Sequence, residues 1–115
     1  MGYIIEGEID MYTVKIMNEF LHGAIWVYED GVVSSLPTVD EDQILQELNR
    51  KTMELFNSYF EFDSNGESCT FNNDLSKKTK GEMLELISQI KERLNQINHG
   101  EFVVEDYETD RLKNL

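Results

Sequence analysis

Residues 24–36, AIWVYEDGVVSSL, decide the fold, because they place Asp30 and Gly31 between two runs rich in β-branched and aromatic residues. An Asp-Gly pair in this setting is the signal for a two-residue β-hairpin, since both positions of a type I′ turn need a positive φ. The predicted register places Tyr28 opposite Val33. The sheet is therefore expected to contain an antiparallel strand pair here.

Both faces of this predicted hairpin are apolar. Ile25 and Val27 alternate with Trp26 and Tyr28, so each face receives large apolar side chains. Two arrangements account for this pattern. Either the strands are central and covered on both sides, which we favour, or Trp26 and Tyr28 lie on a helix-free face. The second arrangement would supply aromatic side chains of the kind found at interface hot spots.

The preceding segment, residues 3–17, also alternates, with Tyr12, Val14 and Ile16 on one face. A period of two residues predicts a strand. Gly7 indicates either a bulge or a break into two strands.

Two amphipathic helices are predicted further along the chain. The first spans residues 39–57 and begins at a capping box formed by Thr38 and Glu41. The second begins at an equivalent box formed by Thr79 and Glu82. Its apolar stripe has the period of an α-helix. The stripe consists of Met83, Leu86, Ile87, Ile90, Leu94 and Ile97.

Between these helices lies YFEFDSNGESCTFNN, residues 59–73, whose centre resembles a calcium loop at first sight. With Gly66 at the sixth position of an EF-hand loop, Asn72 falls at the twelfth, where a bidentate carboxylate is needed. The flanking residues are typical of strands, so we predict a hairpin with a turn at Asn65 and Gly66. In this register four side chains face the core, namely Phe60, Phe62, Cys69 and Phe71.

A last strand is predicted from EFVVED, residues 101–106. The order β-β-β-α-β-β-α-β predicts an α+β domain, with an antiparallel or mixed sheet of five to six strands and two helices packed on one face. Residues 1–115 are expected to form a single domain. Within it, residues 106–115 are expected to be a polar, partly flexible tail.

The chain is strongly acidic, with 23 acidic and 10 basic residues and a formal net charge of −13. This charge argues against nucleic-acid binding through phosphate neutralisation and against attraction to anionic membranes. Two explanations stay open, solubility alone or a basic partner. The single cysteine, the lack of a long apolar run and the lack of a signal-peptide pattern lead us to expect a cytoplasmic protein.

The sequence has neither a P-loop nor a dinucleotide-binding glycine motif. His22 and His99 are the two histidines, and neither has a second ligand at zinc spacing. Cys69 falls on the predicted apolar face, so we interpret it as a core residue rather than a nucleophile. We therefore expect a binding protein that is not an enzyme and has no cofactor and no metal.

Candidate partner-binding residues come from acidic segments and from the first hairpin. The simpler explanations for the acidic segments are a solvated strand face and a frayed C-terminal segment. The alternative is a surface that combines acids with aromatic side chains. Its candidate residues are Glu6, Glu8, Asp10, Trp26, Tyr28, Glu101, Glu105, Asp106, Glu108 and Asp110.

In its size, its acidity and its combination of acids with aromatics, the chain resembles the small immunity proteins of bacterial contact-dependent growth inhibition systems. The resemblance extends over the whole chain but includes no sequence motif, so no residue role is carried over. It implies a cytoplasmic inhibitor that binds and masks a basic toxin, such as a nuclease. The alternatives are a DNA mimic that blocks a nucleic-acid-binding protein, and a small ligand-binding domain or enzyme.

Overall fold

The computed structural model describes residues 12–62, 66 and 68–115, which form a mixed α+β fold. Its strands are β1 (Tyr12–Glu19), β2 (Gly23–Glu29), β3 (Val32–Val33), β4 (Phe60–Phe62), β5 (Cys69–Phe71) and β6 (Phe102–Asp106). Its helices are α1 (Pro37–Asp40), α2 (Gln43–Asn57), α3 (Asn73–Lys78), α4 (Lys80–Ile97) and α5 (Thr109–Lys113). The predicted α+β class is confirmed.

The strands are divided between two sheets. The order β3-β2-β1-β6 forms a mixed sheet, in which β1 is antiparallel to β2 and parallel to β6. β4 and β5 pair with each other in a separate two-stranded sheet. For the part of the chain that the structure describes, the prediction of one sheet with five to six strands is therefore wrong. β4 and β5 have three residues each, and within the described residues each is paired only with the other.

The first hairpin forms as predicted. Tyr28 pairs with Val33 across the turn. Asp30 and Gly31 have φ values of 52° and 81°, as a type I′ turn requires.

The first predicted helix is divided near its start into two separate helices, α1 and α2. Pro37 lies at the start of α1, a position where its missing N–H is not needed. The predicted capping box does not form, and the hydroxyl of Thr38 donates to Glu101 at 2.7 Å. Asp42 is the actual cap of α2, since its carboxylate accepts from the backbone N–H of Leu45 at 2.9 Å.

The second predicted helix corresponds to α4. Thr79, the residue directly before α4, does not cap the helix with its side chain. That hydroxyl donates to the carbonyl of Leu75 at 2.9 Å and lies 2.8 Å from the hydroxyl of Tyr59. The predicted stripe is the buried side of the helix. Its fully buried residues are Met83, Ile87, Ile90 and Leu94.

Helices α2 and α4 pack against each other and against one face of the four-stranded sheet. They run antiparallel, because Arg93 near the end of α4 pairs with Asp42 at the start of α2, at 2.7 Å. Val14 and Ile16 of β1 are fully buried in the core that the helices share with the sheet. Burial of these apolar side chains is the main stabilising contribution to the fold.

The β4–β5 hairpin has the predicted register, with Phe60 opposite Phe71 and Phe62 opposite Cys69. Its base packs on the core, since Phe60 and Phe71 are half-buried. Its outer part does not, because Phe62 is 56% exposed and Cys69 is exposed as well. The interpretation of Cys69 as a core residue is therefore wrong. Residues 63–65 and 67, on which the predicted turn and the calcium-loop candidate depend, lie outside the described residues.

The segment 106–115, for which we expected a polar and partly flexible tail, contains α5 and two buried side chains. Leu112 is 1% exposed and packs in the core, and Glu108 is 2% exposed. Apolar burial at Leu112 holds α5 against α4, which the polar composition of the segment did not indicate.

Candidate functional site

The two faces of the four-stranded sheet have different surroundings, because side chains alternate along each strand. Val14, Ile16 and Val27 point to the helix side and are buried. The opposite side, which we call the open sheet face, is formed by the alternate residues of the strands together with the residue after β6. Its members are Thr13, Lys15, Trp26, Tyr28, Val33, Val103, Glu105 and Tyr107.

Several apolar side chains of the open sheet face are accessible. Val33, Val103 and Tyr107 are 61%, 45% and 50% exposed, and Trp26 and Tyr28 are half-buried. Among the described residues, the helices that pack on this sheet lie on its other side. This corresponds to the second arrangement derived from the sequence, rather than to the double coverage that we favoured.

Lys15 lies at the centre of the open sheet face. Its ammonium is 4.5 Å from the ring centroid of Tyr28 and 5.7 Å from that of Tyr107, which are cation–π distances. In the sheet register Lys15 is beside Glu105, and Glu105 accepts a hydrogen bond from the Tyr107 hydroxyl at 2.6 Å. This hydrogen bond to the carboxylate raises the pKa of Tyr107 above its ordinary value. The contacts hold both tyrosine rings in place.

Trp26 is also held in one orientation. Its indole N–H donates to the carbonyl of Met17 at 2.9 Å, and its ring stacks on His22 with centroids 3.6 Å apart. The imidazole of His22 in turn lies 3.1 Å from the carbonyl of Ile25. An aromatic side chain that is already ordered loses little conformational entropy when a partner binds to it.

The acidic candidates divide into exposed and internal groups. Glu101, Glu105 and Asp110 are exposed. Glu105 belongs to the open sheet face, and Glu101 lies at the start of β6, where it accepts from Thr38. The remaining N-terminal candidates, Glu6, Glu8 and Asp10, lie outside the described residues.

Asp106 is directed toward the helices. Burial raises the pKa of its carboxyl, but hydrogen bonds from Thr109, Lys91 and Glu108 outweigh burial and hold that pKa below its ordinary value. The ion pair with Lys91 has a length of 3.0 Å, and the Asp106 side chain is 13% exposed. These contacts make Asp106 a connector of β6, α4 and α5.

Glu108 is a buried carboxylate with a complete set of partners. It accepts from the backbone and side-chain N–H groups of Asn18, both at 3.1 Å, and from Arg111 at 2.7 Å. A buried charge needs such partners, because desolvation disfavours it otherwise. The structure therefore separates Asp106 and Glu108 from the exposed acids with which the sequence pattern grouped them.

Sequence reasoning missed Lys15, Val103 and the central position of Tyr107. The alternation of β1 does place Lys15 on the opposite face of the strand from its buried neighbours Val14 and Ile16. What the sequence lacked was a signal that β6 lies beside β1, and that pairing brings Tyr107 and Glu105 next to Lys15.

Within the described residues, no three histidine, cysteine, aspartate or glutamate side chains come close enough together to hold a metal ion. None of the helices in that part of the chain has the length and apolarity needed to cross a lipid bilayer. Comparisons with protein-family models, with curated proteins and with solved structures give no match. The site is therefore interpreted from its own geometry.

Proposed function

We propose that this chain is an inhibitory binding protein of the immunity-protein kind, which binds and masks a basic protein such as a toxin nuclease. The observation that supports this most is the open sheet face, where Trp26, Tyr28 and Tyr107 are ordered beside the carboxylate of Glu105. The net charge of −13 supports a cationic partner.

The composition of the open sheet face suits a protein interface. Tyrosine and tryptophan are enriched among residues that contribute most of the binding energy, and such residues cluster near the centre of an interface. Here the aromatic rings are flanked by the exposed apolar side chains of Val33 and Val103. A flat, largely preformed surface of this kind fits a folded partner.

The acidic residues would act mainly on the rate of association. A strongly negative protein attracts a basic partner before contact, and the attraction weakens as salt shortens the Debye length from about 10 Å at 0.1 M to about 3 Å at 1 M. Of the exposed candidate acids, Glu105 lies on the open sheet face and Glu101 directly precedes β6. The proposed mechanism is occlusion of the partner's functional surface.

A DNA mimic needs accessible carboxylates at phosphate-like spacing. Several described acids instead form ion pairs with basic residues of the same chain. Arg50 pairs with both Glu47 and Glu54, and Arg93 pairs with Asp42. This pairing favours an inhibitor of a basic protein over a DNA mimic.

The proposal is tested with the protein encoded beside the gene for this chain, purified and assayed for nuclease activity with and without the chain. We expect inhibition that saturates at one chain per partner, together with direct binding by calorimetry. Binding without inhibition, or inhibition that does not saturate at one chain per partner, would argue against masking of the partner's functional surface.

A matched pair of variants locates the interface. Val33 and Val32 are adjacent in β3, point to opposite faces and are 61% and 67% exposed. We expect Val33→Lys to weaken binding about tenfold or more, because it places a charge beside the aromatic rings. Val32→Lys adds the same charge on the other side and should stay within about twofold. Equal effects of the two substitutions would exclude the open sheet face.

A further inference from the structure

On the other side of the molecule, α2 and α4 leave a groove between the C-terminal half of one helix and the N-terminal half of the other. The groove has a volume of about 590 Å³. Its floor includes the half-buried side chains of Leu55 and Leu86, and its walls carry Lys51, Glu54, Glu82 and Glu85. A floor of apolar side chains between charged walls is suited to an amphipathic ligand.

The walls of this groove are acidic on balance, with three carboxylates and one ammonium. Glu54 is already paired with Arg50 at 2.6 Å. Glu85 accepts a hydrogen bond from the neutral amide of Gln89 at 2.9 Å, which leaves its charge uncompensated by that contact. Glu82 is exposed in the first turn of α4, where it also complements the positive end of the helix dipole.

Glu82 and Glu85 lie on neighbouring positions of one helix face, because residues three apart in a helix are adjacent on its surface. Leu86 follows directly, and Leu55 lies across the groove on α2. The lining part of α2 runs from Lys51 to Ser58, about 10 Å at roughly 1.5 Å per residue. This length matches about two turns of a docked helix.

We propose that this groove binds one face of a basic amphipathic helix from a protein partner. Leucine side chains of that helix would contact Leu55 and Leu86, and lysine side chains one turn apart would pair with Glu82 and Glu85. The inference is independent of the open sheet face, because the two surfaces lie on opposite sides of the layer formed by α2, α4 and the sheet.

The test uses a synthetic helical peptide of about three to four turns, with leucine along one face and lysine at the positions that flank this face, and the intact chain labelled for NMR. We expect the methyl resonances of Leu55 and Leu86 to shift most on titration. One control peptide has the same composition in scrambled order, and a second has glutamate in place of lysine. Spermine serves as a third control, which separates an amphipathic helix from a small cation.

Charge variants then test the contacts. We expect Glu82→Gln combined with Glu85→Gln to weaken peptide binding about five- to tenfold, the scale of two exposed ion pairs. Glu41→Gln combined with Glu92→Gln removes the same charge from exposed positions outside the groove and should leave binding within about twofold. Circular dichroism establishes that each variant is folded.

The proposal is overturned if both double variants lose affinity equally, since binding would then follow overall charge. It is also overturned if the scrambled peptide or spermine shifts the same methyl resonances with equal affinity. The NMR titration of the unsubstituted chain locates the bound peptide even if a variant does not fold. Variants of the open sheet face such as Val33→Lys should leave peptide binding unchanged, which separates failure of this inference from failure of the proposed function.

Discussion

Glu108 accepts hydrogen bonds from both the backbone N–H and the side-chain amide of Asn18, at 3.1 Å each, although 90 positions separate the two residues. The Asn18 amide also lies 3.5 Å from the sulfur of Met83 in α4. Arg111 completes the cluster with a 2.7 Å ion pair to Glu108. These contacts attach the segment after β6 to the end of β1, and so support the parallel pairing that forms the open sheet face.

Replacing Glu108 with alanine should destabilise the protein by about 3 kcal/mol, because it leaves the Asn18 donors unpaired in a buried site. Urea unfolding should show a lower midpoint with an unchanged m-value. Asp110→Ala is the matched control, since Asp110 is an exposed acid in the first turn of α5, two residues after Glu108, and it should cost about 1 kcal/mol or less. Similar losses for both variants would mean that the buried cluster contributes little.

Asp42 combines a helix cap with an ion pair, and two substitutions separate the roles. Asp42→Asn keeps an oxygen that can accept from Leu45 but removes the charge that pairs with Arg93. Asp42→Ala removes both. We expect losses of about 1 kcal/mol for asparagine and about 2 kcal/mol for alanine, measured by thermal or urea unfolding. An asparagine variant as unstable as the alanine variant would show that the cap is unimportant.

The same residue predicts a pH dependence. The hydrogen bond from Arg93 holds the pKa of Asp42 below its ordinary value. The ionised form therefore stabilises the folded state above the unfolded pKa of about 3.9, and this contribution is lost as pH falls through the folded value. The stability difference between the unsubstituted protein and Asp42→Asn should therefore shrink between about pH 5 and pH 2. A constant difference across that range would contradict the assignment.

Gly23 has no room for a side chain. Its φ is +97°, and a Cβ atom there would lie 2.5 Å from the side-chain oxygen of Asn49. That oxygen accepts from the backbone N–H of Ala24 at 2.8 Å, so Gly23→Ala should displace Asn49 and break the contact. Gly31 also has a positive φ, of +81°, but open space around it. We expect losses of about 2–3 kcal/mol at Gly23 and about 1 kcal/mol at Gly31, by urea unfolding.

Charge reversal tests the electrostatic part of the proposed function. Glu101→Lys combined with Glu105→Lys should slow association with the basic partner about tenfold at low salt, because both acids lie near the proposed interface. Stopped-flow measurements should show the difference shrinking as salt rises. Asp74→Lys combined with Glu92→Lys changes the net charge equally on exposed helical positions and should slow association less. Glu108 is unsuitable for such a test, since its reversal would disturb folding.

Local signals predicted the local parts of the fold. The Asp30-Gly31 turn fixes its own register because both residues adopt positive φ, and the apolar stripe of α4 predicts its buried side. Helix starts were less predictable. Thr38 and Thr79 have the right spacing for capping boxes, yet their hydroxyls find partners in Glu101 and Tyr59 that only the folded chain provides.

The candidate site depended on long-range pairing, which residue patterns do not encode. Trp26 and Tyr28 were identified from the hairpin alone. The position of Lys15 between Tyr28 and Tyr107 follows from β6 lying beside β1, and the same pairing brings Glu108 into the core. At Cys69 the local pairing was predicted correctly but the burial was not. Cys69 pairs with Phe62 as predicted, yet it is exposed because this end of the β4–β5 pair extends past the core.

The parallel pairing of β1 with β6 also has a kinetic consequence. Tyr12 pairs with Phe102, so the four-stranded sheet forms only after a long loop has closed. Closing that loop costs chain entropy before the contacts that offset it are made. During synthesis on the ribosome, the β1–β2 hairpin and α2 can form early. The edge of β1 that pairs with β6 stays unpaired until residues 102–106 have been made. The exposed edge in that interval is where this chain is most open to pairing with another molecule instead of with itself.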